Sequence, residues 1–238
     1  MEKVLPRFLC LMDREGEKMP RPQRAPDEVA AVKQGILETA LTVLNEDGYI
    51  KLSMSKVAER VGMTAANLYN YFANKDELVL ALQTLITERI YEEYQQAYAR
   101  HRDPFLRLEA FMRILLRLGI QNPNDYDLLF SITAPRFEDY VGTNVEPVAR
   151  TEKQRAFDIA VKTREIYRKV VLEISDRYGS FAPSEVSLVL DELWCTVHGA
   201  VMLYNRNFLS RFSESDEAVV YKICEAALER FRPPEGKG

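Results

Sequence analysis

Between Ser53 and Leu78 the chain reads SMSKVAERVGMTAANLYNYFANKDEL, and this stretch restricts its fold more than any other. A short helix after Ser53, a turn at Gly62, a second short helix after Thr64 and a longer one after Asn74 are the layout of a helix-turn-helix. Ser53 and Thr64 carry side-chain oxygens suited to accept from the first free amides of a helix. Asn74 and Glu77 have the spacing of a capping box, with Asn in place of Ser or Thr. Two such short helices bury little surface alone, so longer neighbours must brace them. In this motif the second helix enters the DNA major groove with its N-terminal residues at the base edges.

The surrounding chain supplies those neighbours. Val29, Val32, Ile36, Leu37, Ala40, Val43 and Leu44 recur at helical spacing and stop at Asp47-Gly48, a C-terminal glycine signal. The third helix is expected over 65–72. The fourth is expected to run to about His101 on the stripe Leu78, Leu82, Leu85, Ile86 and Ile90. Asp103-Pro104 and Asn122-Pro123 each set a cap before a proline at the first helical position, opening helices to about Ile120 and Thr133. The stretch 134–150, with Pro135, Gly142 and Pro147, reads as a loop. Thr151 and Gln154 read as a capping box for a helix with the stripe Ile159, Ile166, Val170 and Ile174, joined by Tyr167 and Val171 and ended by Gly179. Pro183 opens a long helix to about Leu209, and a last one is expected over 214–231. No run alternates cleanly enough to be a strand. The expected fold class is all-α.

Residues 1–26 lack a clean period and end in three prolines, Pro20, Pro22 and Pro26, so they read as a flexible arm. The formal net charge of −4 argues against a broadly basic surface but leaves room for a local one. Cys10, Cys195 and Cys224 are far apart and form no CxxC pair, and His101 and His198 are the only histidines. A disulfide framework, a metal site and a bound cofactor are therefore not expected, and a cytoplasmic setting fits. No apolar run reads as long enough to span a bilayer. There is no GxSxG, GxGxxG or P-loop, and the acidic pairs Glu92-Glu93 and Asp191-Glu192 read as solvated helix faces. An enzyme is not expected.

The helix-turn-helix itself carries the functional reading. Thr64, Ala65, Ala66 and Asn67 occupy the first turn of its second helix. The small Ala65 and Ala66 allow close approach and contact with a thymine methyl, and Asn67 has the geometry for an adenine edge. Tyr69 and Tyr71 carry hydroxyls on rigid rings, suited to phosphates. Ser53, Thr64 and Lys75 stand at helix N-termini, where free amides and the helix dipole favour a phosphate oxygen. Lys51, Lys56, Arg60 and Lys75 against Glu59 make the segment locally basic.

Gly62-Met63-Thr64, Leu68-Tyr69-Asn70-Tyr71-Phe72 and Asn74-Lys75-Asp76-Glu77-Leu78 together resemble the signature of the TetR-type transcriptional regulators. The resemblance covers roughly 29–85. Met63 stands where valine is usual, and Tyr71 where histidine is common. The resemblance implies a DNA-binding domain over 27–74, with Ser53, Thr64, Ala65, Ala66, Asn67, Tyr69, Asn70, Tyr71 and Lys75 at the DNA. It implies a ligand-binding and dimerisation bundle over 75–238. The protein would be a homodimer paired through its last two long helices, bound as a repressor to a palindromic double-stranded operator and released by a small-molecule effector. The alternative is an all-helical interaction module that has lost operator binding.

In the C-terminal half, Trp194-x-x-x-His198-Gly199 resembles a recurrent C-terminal subtype of that family. Trp194 and His198 lie one helical turn apart. They read either as a buried Trp with a hydrogen-bonded core His, Gly199 permitting close helix packing, or as the wall of an effector cavity. Phe111, Leu115 and Phe130 complete the candidate ligand-binding set with Trp194 and His198. The lack of clustered charge there favours an apolar or aromatic effector.

Overall fold

The computed structural model describes residues 25–130, 137–179, 181–209 and 216–232. Most of the expected arm, and the helix end expected near Thr133, lie outside the described residues. Among those described, the regular elements are helical: α1 Pro26–Asp47, α2 Met54–Val61, α3 Ala65–Leu68, α4 Lys75–Arg100, α5 Pro104–Gln121, α6 Pro123–Phe130, α7 Glu146–Tyr178, α8 Val186–Asn205 and α9 Asp216–Glu229.

Local chemistry sets many of these boundaries. Ser53 Oγ accepts from Lys56 N at 3.3 Å, Thr64 Oγ1 from Asn67 N at 3.2 Å, and Asn74 Oδ1 from Glu77 N at 2.9 Å. Asp103 accepts from Phe105 N and Leu106 N ahead of Pro104. Gly62 sits at φ 80°, the left-handed conformation in which a glycine most readily closes the α2–α3 turn. The Asn74 box closes one residue early, since Glu77 accepts from Ala73 N rather than from Asn74 N.

Several expected boundaries move, among them those of the helix expected from Pro183 to about Leu209, which runs over Val186–Asn205. α3 ends at Leu68 instead of residue 72, because the next amides shift to tighter bonds: Asn70 N reaches Asn67 O and Tyr71 N reaches Leu68 O. The helix expected from Thr151 begins at Glu146, where Glu146 accepts from Gly142 N at 2.7 Å. Thr151 is no cap; its hydroxyl donates to Pro147 O within the helix. Ahead of it a short 3-10 turn, Phe137–Tyr140, replaces part of the expected loop. Tyr140, Val145 and Ala149 pack there on Leu80 of α4 as a small second core.

The main core is continuous from Ile36 in α1 to Phe231 beyond α9. α4 packs along α7 and α5, α8 along α9 and α5, and α1 against α2, α4 and α6. The close-approach glycine is Gly119 of α5, not Gly199. A Cβ at Gly119 would lie 2.2 Å from Val201 Cγ1 of α8, whereas nothing lies within 4 Å of one at Gly199. Contrary to expectation, Pro183–Asn205 is long and apolar enough to cross a bilayer by length and composition. Its apolar face accounts for this: Val186, Val189, Leu193, Val197 and Val201 are buried in the bundle.

Candidate functional site

Two places in the fold hold the residues singled out by sequence. The first is the head formed by α1 to α3 and the start of α4. Leu68 and Phe72 are buried under the two short helices, and Ala65 and Tyr71 pack partly on the same core. This leaves Ser53, Thr64, Ala66, Asn67, Tyr69 and Asn70 exposed, with Tyr69 at 50%. Thr64 meets its neighbour through its own oxygen, so the cap that starts α3 also fixes the position of Asn67.

The basic character of the head is weaker than a count along the segment implies. Lys56 pairs with Asp47 at 2.7 Å, and Arg60 grips both carboxylate oxygens of Glu46 at 3.2 and 2.7 Å. Both acids lie at the end of α1, outside the segment. Lys75 is tied inward: its Nζ donates to Tyr49 O at 3.2 Å and stands 4.4 Å from the centre of the Tyr49 ring. Burial lowers its pKa, with Asp76 opposing. Lys33 of α1 stands 5.3 Å over the Phe72 ring, a cation the motif did not point to.

The second place is a cavity of about 770 Å³ between α4, α5, α6, α7 and α8, within the size range of small-molecule sites. Leu115, Phe130 and Trp194 line it. Phe111 does not: it is fully buried behind the wall, with Tyr94 and Tyr167 ring-to-ring against it at 5.1 and 4.9 Å. His198 also stands behind the wall, 3.9 Å from the Trp194 ring and 4.5 Å from that of Phe130. Trp194 is not buried, as the core reading had it, but 48% exposed.

His198 is buried and neutral. Its Nδ1 shares a 2.6 Å hydrogen bond with the Tyr126 hydroxyl, its Nε2 has no hydrogen-bond partner among the described residues, and burial pulls its pKa down to about 4. The wall residues that sequence reading missed include Tyr94, Tyr167, Phe157, Glu152 and the Arg164–Asp191 ion pair at 2.9 Å. One signal existed for Tyr94: it continues the α4 series 78, 82, 86, 90 by four more residues. The acidic pairs are not merely solvated. Glu93 pairs with Arg117, Asp191 with Arg164 and Glu192 with Arg230. Among the described residues no group of three His, Cys, Asp or Glu is placed to hold a metal ion.

One short helix touches both places. At the start of α6, Asn124 Nδ2 donates to Asn45 O of α1 at 3.0 Å. Asp125 beside it is buried; burial raises its pKa to about 6, against a hydrogen bond with Asn45 and the nearby charge of Arg89. Tyr126 binds His198, and Phe130 at the far end lines the cavity.

Residues 36–82 match the family described as bacterial regulatory proteins, tetR family. The nucleoid occlusion factor SlmA of Aliivibrio fischeri (strain MJ11) is 26% identical over 104 residues, 44% of this chain and 50% of that protein. The chain thus spans about half the length of this curated relative. A transcriptional regulator of the TetR/AcrR family from Thermobifida fusca superposes with a TM-score of 0.58 at 21% identity, over 85% of this chain and 99% of that one. AibR, solved with isovaleryl coenzyme A and operator DNA, superposes with a TM-score of 0.54 at 20% identity, over 85% and 98%. These likenesses establish a shared all-helical fold with a helix-turn-helix head.

Proposed function

We propose that this protein is a ligand-responsive, non-enzymatic transcriptional regulator of the TetR type, acting in the cytoplasm as a repressor. Residues 27–74 form its DNA-binding domain, and 75–238 its ligand-binding and dimerisation domain. Thr64, Ala65, Ala66 and Asn67 meet base edges, while Ser53, Tyr69, Asn70, Tyr71 and Lys75 contact the backbone of a palindromic operator. Two copies pair through α8 and α9. Exposed Leu188, Met202 and Leu203 on α8 support such a pairing, because large apolar side chains favour a covered face.

The observation that carries the reading is α6, which holds α1 through Asn124 and lines the cavity through Phe130. An effector in the cavity that prefers one position of α6 biases the position of the head. It releases DNA if that position spoils the spacing of the two heads on the operator. The apolar cavity supports an apolar or aromatic effector. AibR, crystallised with both a small molecule and an operator, is a precedent for the same fold holding both.

A second reading, an interaction module that has lost its operator, is favoured by one observation: Lys56 and Arg60 are spent on Asp47 and Glu46. A salt series separates the two. The full chain is titrated onto DNA from upstream of its own gene, with random DNA as control. The regulator reading expects specific binding, two protomers per site and affinity that falls steeply with salt. Tyr69→Ala is expected to weaken it about tenfold, and Lys75→Ala to reduce the salt slope by about one. Binding no tighter than to random DNA, unchanged by Tyr69→Ala, favours the second reading.

A further inference from the structure

Tyr94 of α4 and Tyr167 of α7 both line the cavity and meet edge to face, ring centres 5.3 Å apart. The two hydroxyls are near enough to influence each other's ionisation. Each hydroxyl has one proton, so even a pair bonded to each other would use one and keep one. Neither hydroxyl has another hydrogen-bond partner among the described residues. At least one donor on this wall is therefore available to an acceptor that enters the cavity.

We propose that the cavity takes a neutral, largely apolar molecule bearing one hydrogen-bond acceptor, such as a ketone, ester or amide oxygen, and that the Tyr94–Tyr167 pair donates its spare proton to that oxygen. This rests on the cavity being the effector site of the proposed regulator. Phe111, fully buried behind both rings, holds the pair in place.

The surroundings select against charge. Burial raises the pKa of both phenols, that of Tyr94 to about 12, so both remain O–H donors at neutral pH. The wall carries two carboxylates. Glu152 Oε2 lies 2.6 Å from the Thr84 hydroxyl, and Asp191 is bound by Arg164. The other cation on the wall, Lys153, is paired with Glu138 at 3.1 Å. An anionic head would have to displace one of these acids, and it would lose more hydration on burial than a carbonyl does.

Trp194 is the chain's single tryptophan and lines the same cavity, so its fluorescence reads occupancy without DNA. Methyl heptyl ketone, n-nonane and nonanoate are titrated onto the full chain. The ketone is expected to bind about tenfold more tightly than the alkane, the worth of one added hydrogen bond, and more tightly than the carboxylate. In the double variant Tyr94→Phe/Tyr167→Phe the ketone's advantage over n-nonane should vanish while n-nonane binds as before. Either single variant keeps one donor and should retain most of the preference.

Thermal unfolding of the double variant at or above the parent's temperature shows that its fold is intact. If the variant does not fold, the ratio of ketone to alkane affinity in the parent decides. Equal affinities in the parent, a preference that survives in the folded double variant, or nonanoate binding as tightly as the ketone each overturn the proposal. So does silence with all three probes. None of these results touches operator binding, which the salt series tests separately.

Discussion

The residues proposed to meet DNA are neighbours in the chain, on two short helices started by Ser53 and Thr64, whereas the cavity wall draws on five helices from α4 to α8. The first arrangement depends on caps, on one left-handed glycine and on Leu68 and Phe72 beneath. The second depends on how long helices lie against each other. A local site tolerates distant change and fails by a lost cap. An assembled site is indifferent to caps and fails by a change in helix spacing.

The largest expected effect tests the assembled site. Gly119→Val places atoms where Val201 already is, in a contact with no room to yield. It should cost about 3 kcal/mol, the upper part of the range for overpacking, and should abolish the Trp194 response to cavity ligands. Gly199→Ala, in open space, should cost nothing by the same thermal unfolding. If Gly119→Val is tolerated, the cavity does not depend on α5–α8 spacing and the contrast fails.

Next comes the joint between the two regions. Asp125 has a folded pKa of about 6, above its ordinary value of 3.8. The native state therefore binds a proton more readily than the unfolded chain, and Asp125 adds stability as pH falls from about 6 towards 4. His198, pulled down to about 4 from 6.5, acts oppositely: the unfolded chain takes its proton first, so stability is lost over that window. Asp125→Asn should raise stability at pH 7 by about 2 kcal/mol and, by removing the Asp125 gain, make the loss of stability on acidification steeper than in the parent. Unfolding temperatures of parent and variant between pH 4 and 7 check this. A variant with the parent's pH profile would mean Asp125 is not held in the environment described.

Thr64→Ala probes the local site. Loss of the bond to Asn67 N should cost about 1 kcal/mol. Operator affinity should fall further than stability explains, since Asn67 loses its anchor. Equal losses in both would reduce Thr64 to a structural cap. The smallest expected effect is Glu46→Gln, which leaves stability essentially unchanged, frees Arg60 and modestly raises operator affinity at low salt. No rise in a low-salt titration would remove Arg60 from the DNA face.

The head was legible in advance because its signals are local. Ser53, Thr64, Asn74 and Asp103 cap the helices they were expected to cap, since a side-chain oxygen reaches an amide two or three residues away whatever the rest of the chain does. Thr151 misled for the complementary reason. It has the right residue type and spacing, but Glu146 reaches back to Gly142 N and Tyr140 packs on Leu80, starting α7 earlier. The locally basic reading was weakened for a similar reason, because the acids that answer Lys56 and Arg60 belong to α1.

The sequence by itself determined the helical class, most helix starts and the exposed residues of the head, all of which follow from interactions within a turn or two of helix. Tertiary structure alone decided that Trp194 faces an opening, that Phe111 and His198 stand behind the wall, that Gly119 and not Gly199 admits its neighbour, and that Tyr94 meets Tyr167. Helical periodicity states which residues share a face. It does not state what lies opposite that face or how far away, and whether aromatic side chains become core or cavity wall depends on that distance.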